Sequence, residues 1–226
     1  MLRTVFVTSP SRGAGKTLVA LALVRWMRKH GHRAIGLKPV DTGCPPNADH
    51  DLGSNDGKLL QLVSGPPDVP FTVIAPYRFA AVAETPAEAF DKSGLELTLA
   101  ELAEVVRGAA AFADWAVVEG ASTATTKLLL EHDELDLAAA LGAQVLVVAA
   151  DPLEAGRLSE LVTRRKVPLL GVVLSRSEAP AGPGQAEIPA LSGDLEARVL
   201  AAEAALEAAG LIAALLAADG APRARA

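Results

Sequence analysis

Cysteine occurs once in the 226 residues, as Cys44, so no disulfide can form within the chain. A single thiol suits a reducing compartment, and a cytoplasmic protein is expected. The four histidines, 30, 32, 50 and 132, show no paired spacing and offer zinc no ligand set. Aromatic residues make up only 4% of the chain, so its core must be aliphatic. No basic run exceeds Arg164-Arg165-Lys166 and the net charge is −6, which argues against nucleic acid or an anionic membrane as the main partner. No stretch of about 20 apolar residues free of charge is present, so no membrane span is expected. Nor is a signal peptide, because the chain enters a strand pattern at once. No Gly-x-Ser-x-Gly turn supports a serine hydrolase.

The chain does hold aliphatic runs alternating with helical patterns. Thr4-Val5-Phe6-Val7-Thr8 is β-branched and aromatic, as in a buried strand. Residues 18–27 follow as a helix that closes in Arg25, Arg28 and Lys29 before Gly31. Further strands are expected at 33–40, 115–120, 144–150 and 168–174, with extended pieces at 71–77 and 187–191. Helices are expected at 57–63, from Thr85, from Thr98, at 133–141, 151–165 and 194–218, the last broken near Gly210. Strands without polar alternation imply an α/β fold, a mainly parallel sheet covered by helices on both faces. One domain over 1–219 is expected, with 220–226 a frayed tail. Ligands of such a sheet bind beyond the carboxyl ends of its strands. That rule sets four stretches on one rim: the loop after Thr8, residues 38–43, residues 119–122 and Asp151.

The loop reads Ser9-Pro10-Ser11-Arg12-Gly13-Ala14-Gly15-Lys16-Thr17. Strand, glycine-bearing turn, Lys-Thr and helix form the context of a phosphate-binding loop. Pro10 stands where the first glycine of that pattern usually falls. Gly13, Ala14 and Gly15 would turn backbone N–H groups toward an anion, and the helix N-terminus adds its dipole. Lys16 would reach the β- and γ-phosphates of ATP, and the Thr17 hydroxyl would take a place on Mg²⁺. Glu119 ends a strand of apolar residues, a position that suits either Mg²⁺ or an ordinary polar strand end. Asp56 is either a second metal ligand or a helix N-cap. Lys38 ends a strand beside the loop. A second lysine there suits phosphoryl transfer to an anionic acceptor, with Thr42 and Gly43 as further donors. The plain alternative is a lysine paired with Asp41 or Asp151.

These pieces together resemble dethiobiotin synthetase: the phosphate loop, Lys38-Pro39-Val40-Asp41-Thr42-Gly43, Asn55-Asp56, Tyr77-Arg78-Phe79 and Val117-Val118-Glu119-Gly120-Ala121. The resemblance implies a homodimeric P-loop ATPase that joins 7,8-diaminononanoate and CO₂ at the expense of ATP-Mg. It implies nucleotide contacts along residues 13–18, Leu18 included, and at Ser175, where the family has its adenine-reading asparagine. Lys16, Lys38 and Thr42 would serve the reaction. Arg12, Lys38, Thr42 and Gly120 would face the substrate, and Thr17, Asp56 and Glu119 the metal. Departures from the family pattern fall mostly on the diamine side. Arg12 replaces a loop threonine, Ser122-Thr123 cut short a Gly-Gly turn, and Glu154 occupies a turn that meets the substrate carboxylate. A nucleotide-dependent switch of the partition and septum-site kind is the alternative, against which Lys38-Pro39-Val40 would have no role. A cobyrinate-type synthase lacks its glutaminase domain here.

Overall fold

β-Branched residues flanked by glycine turns form the strands, and Ala/Leu-rich segments with polar caps form the helices. The computed structural model describes residues 2–46, 51–66, 68–80, 85–176, 185–189 and 193–217. In chain order the elements are β1 (Arg3–Thr8), α1 (Lys16–Lys29), β2 (Ala34–Leu37), β3 (Val40–Thr42), α2 (Asn55–Val63) and α3 (Phe71–Ile74). There follow β4 (Tyr77–Phe79), α4 (Pro86–Ser93), α5 (Leu99–Ala109), β5 (Trp115–Glu119), α6 (Glu134–Ala140) and β6 (Gln144–Ala149). The chain continues through α7 (Pro152–Arg164), β7 (Leu169–Ser175), β8 (Gln185–Ile188), α8 (Leu195–Ala208) and α9 (Leu211–Ala217).

Six strands make one sheet in the order β2-β5-β1-β6-β7-β8, every neighbouring pair parallel. All five residues of β5, and all but the first of β1 and β6, are buried. Successive side chains point to opposite faces, so burial of all of them means that both faces are covered. The chain leaves β1 toward β2 on one side, and β6 lies on the other side of β1. That reversal falls at β1, and the carboxyl ends of β1 and its neighbours are where such a sheet binds ligands.

Two expectations are corrected. The strand expected at 33–40 divides at Lys38-Pro39, because proline has no N–H to give a sheet ladder. β2 stays in the main sheet, while β3 leaves it to pair with β4 in a separate two-stranded sheet. The extended piece expected at 71–77 is instead one helical turn, α3, followed by β4; Pro70 supplies its N-cap and Ala75 N–H closes onto the Phe71 carbonyl at 2.9 Å. The capping boxes at Thr85/Glu88 and Thr98/Glu101 form as expected, and the last helix does break at Gly210. The expected tail, 220–226, lies outside the described residues, as does most of the glycine- and proline-rich loop at 178–185. Among the described residues no single helix is long and apolar enough to cross a membrane.

Candidate functional site: a phosphate loop facing a buried acid

β1 ends at Thr8 and α1 opens at Lys16, with Gly15 as its N-cap at φ +102°. That left-handed backbone, and a neighbour that would lie 2.8 Å from any Cβ (Ser175 Oγ), leave room for glycine alone. No side chain caps α1 and no acid stands in its first turn. Its leading N–H groups and dipole are therefore available to an anion.

Lys16 is buried and donates from Nζ to Ser9 Oγ at 3.0 Å and to the Ser122 carbonyl at 2.5 Å. Burial lowers its pKa, against the opposing pull of Glu134. Arg12, exposed on the loop, donates from Nε to Ser122 Oγ at 2.9 Å. Arg176 donates from its guanidinium to the Gly13 carbonyl and so braces the loop from beyond β7. Ala14 and Leu18 are buried beneath the loop, and Ser175 is buried with its hydroxyl against Gly15.

The second half of the site comes from β2 and β5. Glu119, 1% exposed, ends β5; its Oε1 accepts from Thr17 Oγ1 at 2.9 Å and from Lys38 Nζ at 2.8 Å. Lys38, 2% exposed, also donates to Asp56 Oδ2 at 3.2 Å. Burial works against the Lys38 charge, but Glu119, Asp56 and Asp41 outweigh it and raise the ammonium above its ordinary range. Asp56 does not cap its helix. Ser54 does, with Oγ accepting from Gly57 N at 2.7 Å, which leaves the Asp56 carboxylate free to face Lys38. The plain alternative of a Lys38 pair with Asp41 or Asp151 gives way to Asp56 and Glu119.

Glu119 Oε2 is buried without a hydrogen-bond partner. An orphaned carboxylate oxygen beside a threonine hydroxyl and a second carboxylate is an all-oxygen donor set, the kind that Mg²⁺ takes. Among the described residues no three His, Cys, Asp or Glu side chains cluster as a metal cage. A cation held by Thr17, Asp56 and Glu119 would complete its shell from water and nucleotide oxygens, as Mg²⁺ commonly does.

Thr42 ends β3 and is half-buried; among the described residues no side-chain hydrogen bond ties it to this cluster. Gly120 follows Glu119 and packs against Glu134, where a Cβ would come within 2.1 Å of Oε2. Three site residues carried no clear sequence signal. Ser122 is a departure from the family's glycine turn, and Glu134 and Arg176 belong to no motif in the sequence. Their roles arise from chain segments more than 100 residues apart in sequence for Arg12–Ser122, Thr8–Glu134 and Gly13–Arg176.

A family model described as an AAA domain matches residues 3–215. The ATP-dependent dethiobiotin synthetase BioD of Anaeromyxobacter dehalogenans (strain 2CP-C) is 40% identical over 181 residues, 78% of each chain. The protein of the same name from Anaeromyxobacter sp. (strain K) is 38% identical over 180 residues, again 78% of each. Among solved structures, the septum site-determining protein MinD complexed with Mg-ADP from Pyrococcus horikoshii OT3 superposes with a TM-score of 0.54. That likeness covers 97% of both chains at 15% identity and concerns the fold alone.

Proposed function

This chain belongs to the dethiobiotin synthetase family of P-loop ATPases, and we propose that it makes dethiobiotin from 7,8-diaminononanoate, CO₂ and ATP for biotin synthesis. The observation that carries the reading is the convergence of Thr17 and Lys38 on one oxygen of buried Glu119. A phosphate loop alone serves any nucleotide. A second lysine, buried and held charged beside it, serves a reaction in which a second anion meets the γ-phosphate.

In this reading one amine of the diamine takes up CO₂ and loses a proton to give a carbamate. A carbamate oxygen attacks the γ-phosphorus, ADP leaves, and the second amine then attacks the carbamate carbon and expels phosphate. Lys16 and the N–H groups of residues 13–18 hold the phosphates. Lys38 offsets the charge that accumulates where carbamate and γ-phosphate meet. Thr17, Asp56 and Glu119 would hold Mg²⁺, which when bound would neutralise charge on the phosphate oxygens. Thr42 and Gly120 line the acceptor side, and Arg12 adds a cation there. Ser175, in the place of the family's adenine-reading asparagine, would relax selection for adenine; its hydroxyl lies against Gly15. A homodimer working in the cytoplasm completes the proposal.

The test is phosphate release from ATP-Mg and bicarbonate, with and without the diamine. Release that requires the diamine and is lost in Lys38→Ala supports the synthetase. Slow release indifferent to the diamine would retain the phosphate loop and reject the acceptor.

A further inference from the structure

One buried carboxylate has no part in that reaction. Glu134, the first residue of α6, is 0% exposed. Helix capping does not account for it, because Asp133 Oδ1 already accepts from the Leu135 and Asp136 amides at 3.0 and 3.2 Å. Instead Glu134 reaches across to two loops. Its Oε2 accepts from Thr8 Oγ1 at 2.6 Å, where β1 runs into the phosphate loop. Its Oε1 accepts from the Ser122 amide at 2.6 Å, just beyond β5. Ser122 in turn offers its carbonyl to Lys16 Nζ and its hydroxyl to Arg12 Nε. Gly120 completes the fit, since any side chain there would collide with the carboxylate.

We propose that Glu134 is a positioning residue for the phosphate site: it holds the Ser122 turn and supplies the buried counter-charge that aims Lys16 at a nucleotide phosphate. The inference rests on the nucleotide reading of the loop. Both Glu134 oxygens accept and neither donates, which suits a carboxylate rather than a carboxylic acid. Burial pushes its pKa up, against the Thr8 and Ser122 hydrogen bonds. Among the described residues only neutral donors bond the carboxylate, and a buried charge without an ion-paired partner opposes folding rather than supporting it. Removing only the charge should therefore leave stability intact while phosphate affinity falls. A residue that merely braced the fold would do the reverse.

Calorimetric titration with tripolyphosphate and with ADP tests this on the full chain, with melting temperature read alongside. Glu134→Gln, equal in size, is expected to weaken tripolyphosphate binding about tenfold, the scale of coupling between contacting groups. Its melting temperature should equal or exceed wild type. Thr8→Val, which removes one hydrogen bond to the Glu134 carboxylate but keeps its charge, should bind within about twofold of wild type. Should E134Q not fold, E134M, apolar and similar in size, takes its place with the same expected loss. Wild-type affinity in the Glu134 variants, or an equal loss in T8V, overturns the proposal. A wild type that binds neither tripolyphosphate nor ADP overturns the nucleotide reading, and this inference with it.

Discussion

The two edges proposed above, one for phosphate and one for the acceptor, are built in different ways. At the phosphate edge every functional side chain is buried or held by another: Lys16 by Ser9 and Ser122, Thr17 and Lys38 by Glu119, Asp56 by Lys38. At the acceptor edge Arg12, though it donates to Ser122 Oγ, is exposed to water, and Thr42 ends a three-residue strand outside the main sheet. Charge that is buried must be paired, so the phosphate edge has little freedom to drift. Groups in contact with water carry no such constraint. The resemblance to the synthetase family divides along nearly the same line: most departures fall on the acceptor side, with Pro10 and Ser175 the exceptions on the nucleotide side.

The largest break in that contrast should come from Lys16→Ala. Loss of a charged donor to the phosphates is expected to cut ATP turnover by roughly a thousandfold, read as phosphate release. Lys38→Met should come next, because it strands Glu119 as an unpaired buried charge. The expected cost is about 3–5 kcal/mol in urea unfolding, and adding Glu119→Gln should recover most of it. The pH dependence has a defined sign. A lysine pKa raised by folding gives stability that is complete below the ordinary lysine value of about 10.4 and decays as pH climbs beyond it. The stability advantage of wild type over the K38M/E119Q pair should therefore be full at neutral pH and shrink in strong alkali.

Smaller effects are expected at the acceptor edge. Arg12→Ala or Thr42→Val should raise KM for the diamine roughly fivefold, about one hydrogen bond's worth, and leave nucleotide affinity unchanged. A matching loss of nucleotide affinity would erase the distinction between the two edges. The least reactive group should be Cys44, whose thiol is pushed up to about 12, by burial first and then by Asp41. It should resist iodoacetamide at pH 8 in the native state, followed by mass spectrometry, and react once urea unfolds the chain.

Much of this was legible along the chain because its signals are local. Aliphatic runs gave the strands, Thr85 and Thr98 with their glutamates gave two helix starts, and Gly13 to Thr17 gave the phosphate loop. Pro39 was visible too, but its effect was not. A proline says that a ladder must stop, whereas the move of Val40 to Thr42 into a second sheet depends on Tyr77 to Phe79 being there to receive them. Asp56 was ambiguous for a similar reason. A capping acid and a ligand look alike until Ser54 is seen to take the cap.

By itself the sequence determined an aliphatic parallel α/β fold, a phosphate loop at the end of its first strand, and the residue types able to hold oxygen-bound metal and phosphate. Periodicity, turn chemistry and spacing are properties of neighbours in the chain. Only the tertiary structure decided which charges meet. Glu119 receives Thr17 and Lys38, and Glu134 receives Thr8 and Ser122, because parallel strands bring distant segments to one rim. There burial makes each unpaired charge costly, and hydrogen bonds and ion pairs across the sheet offset that cost.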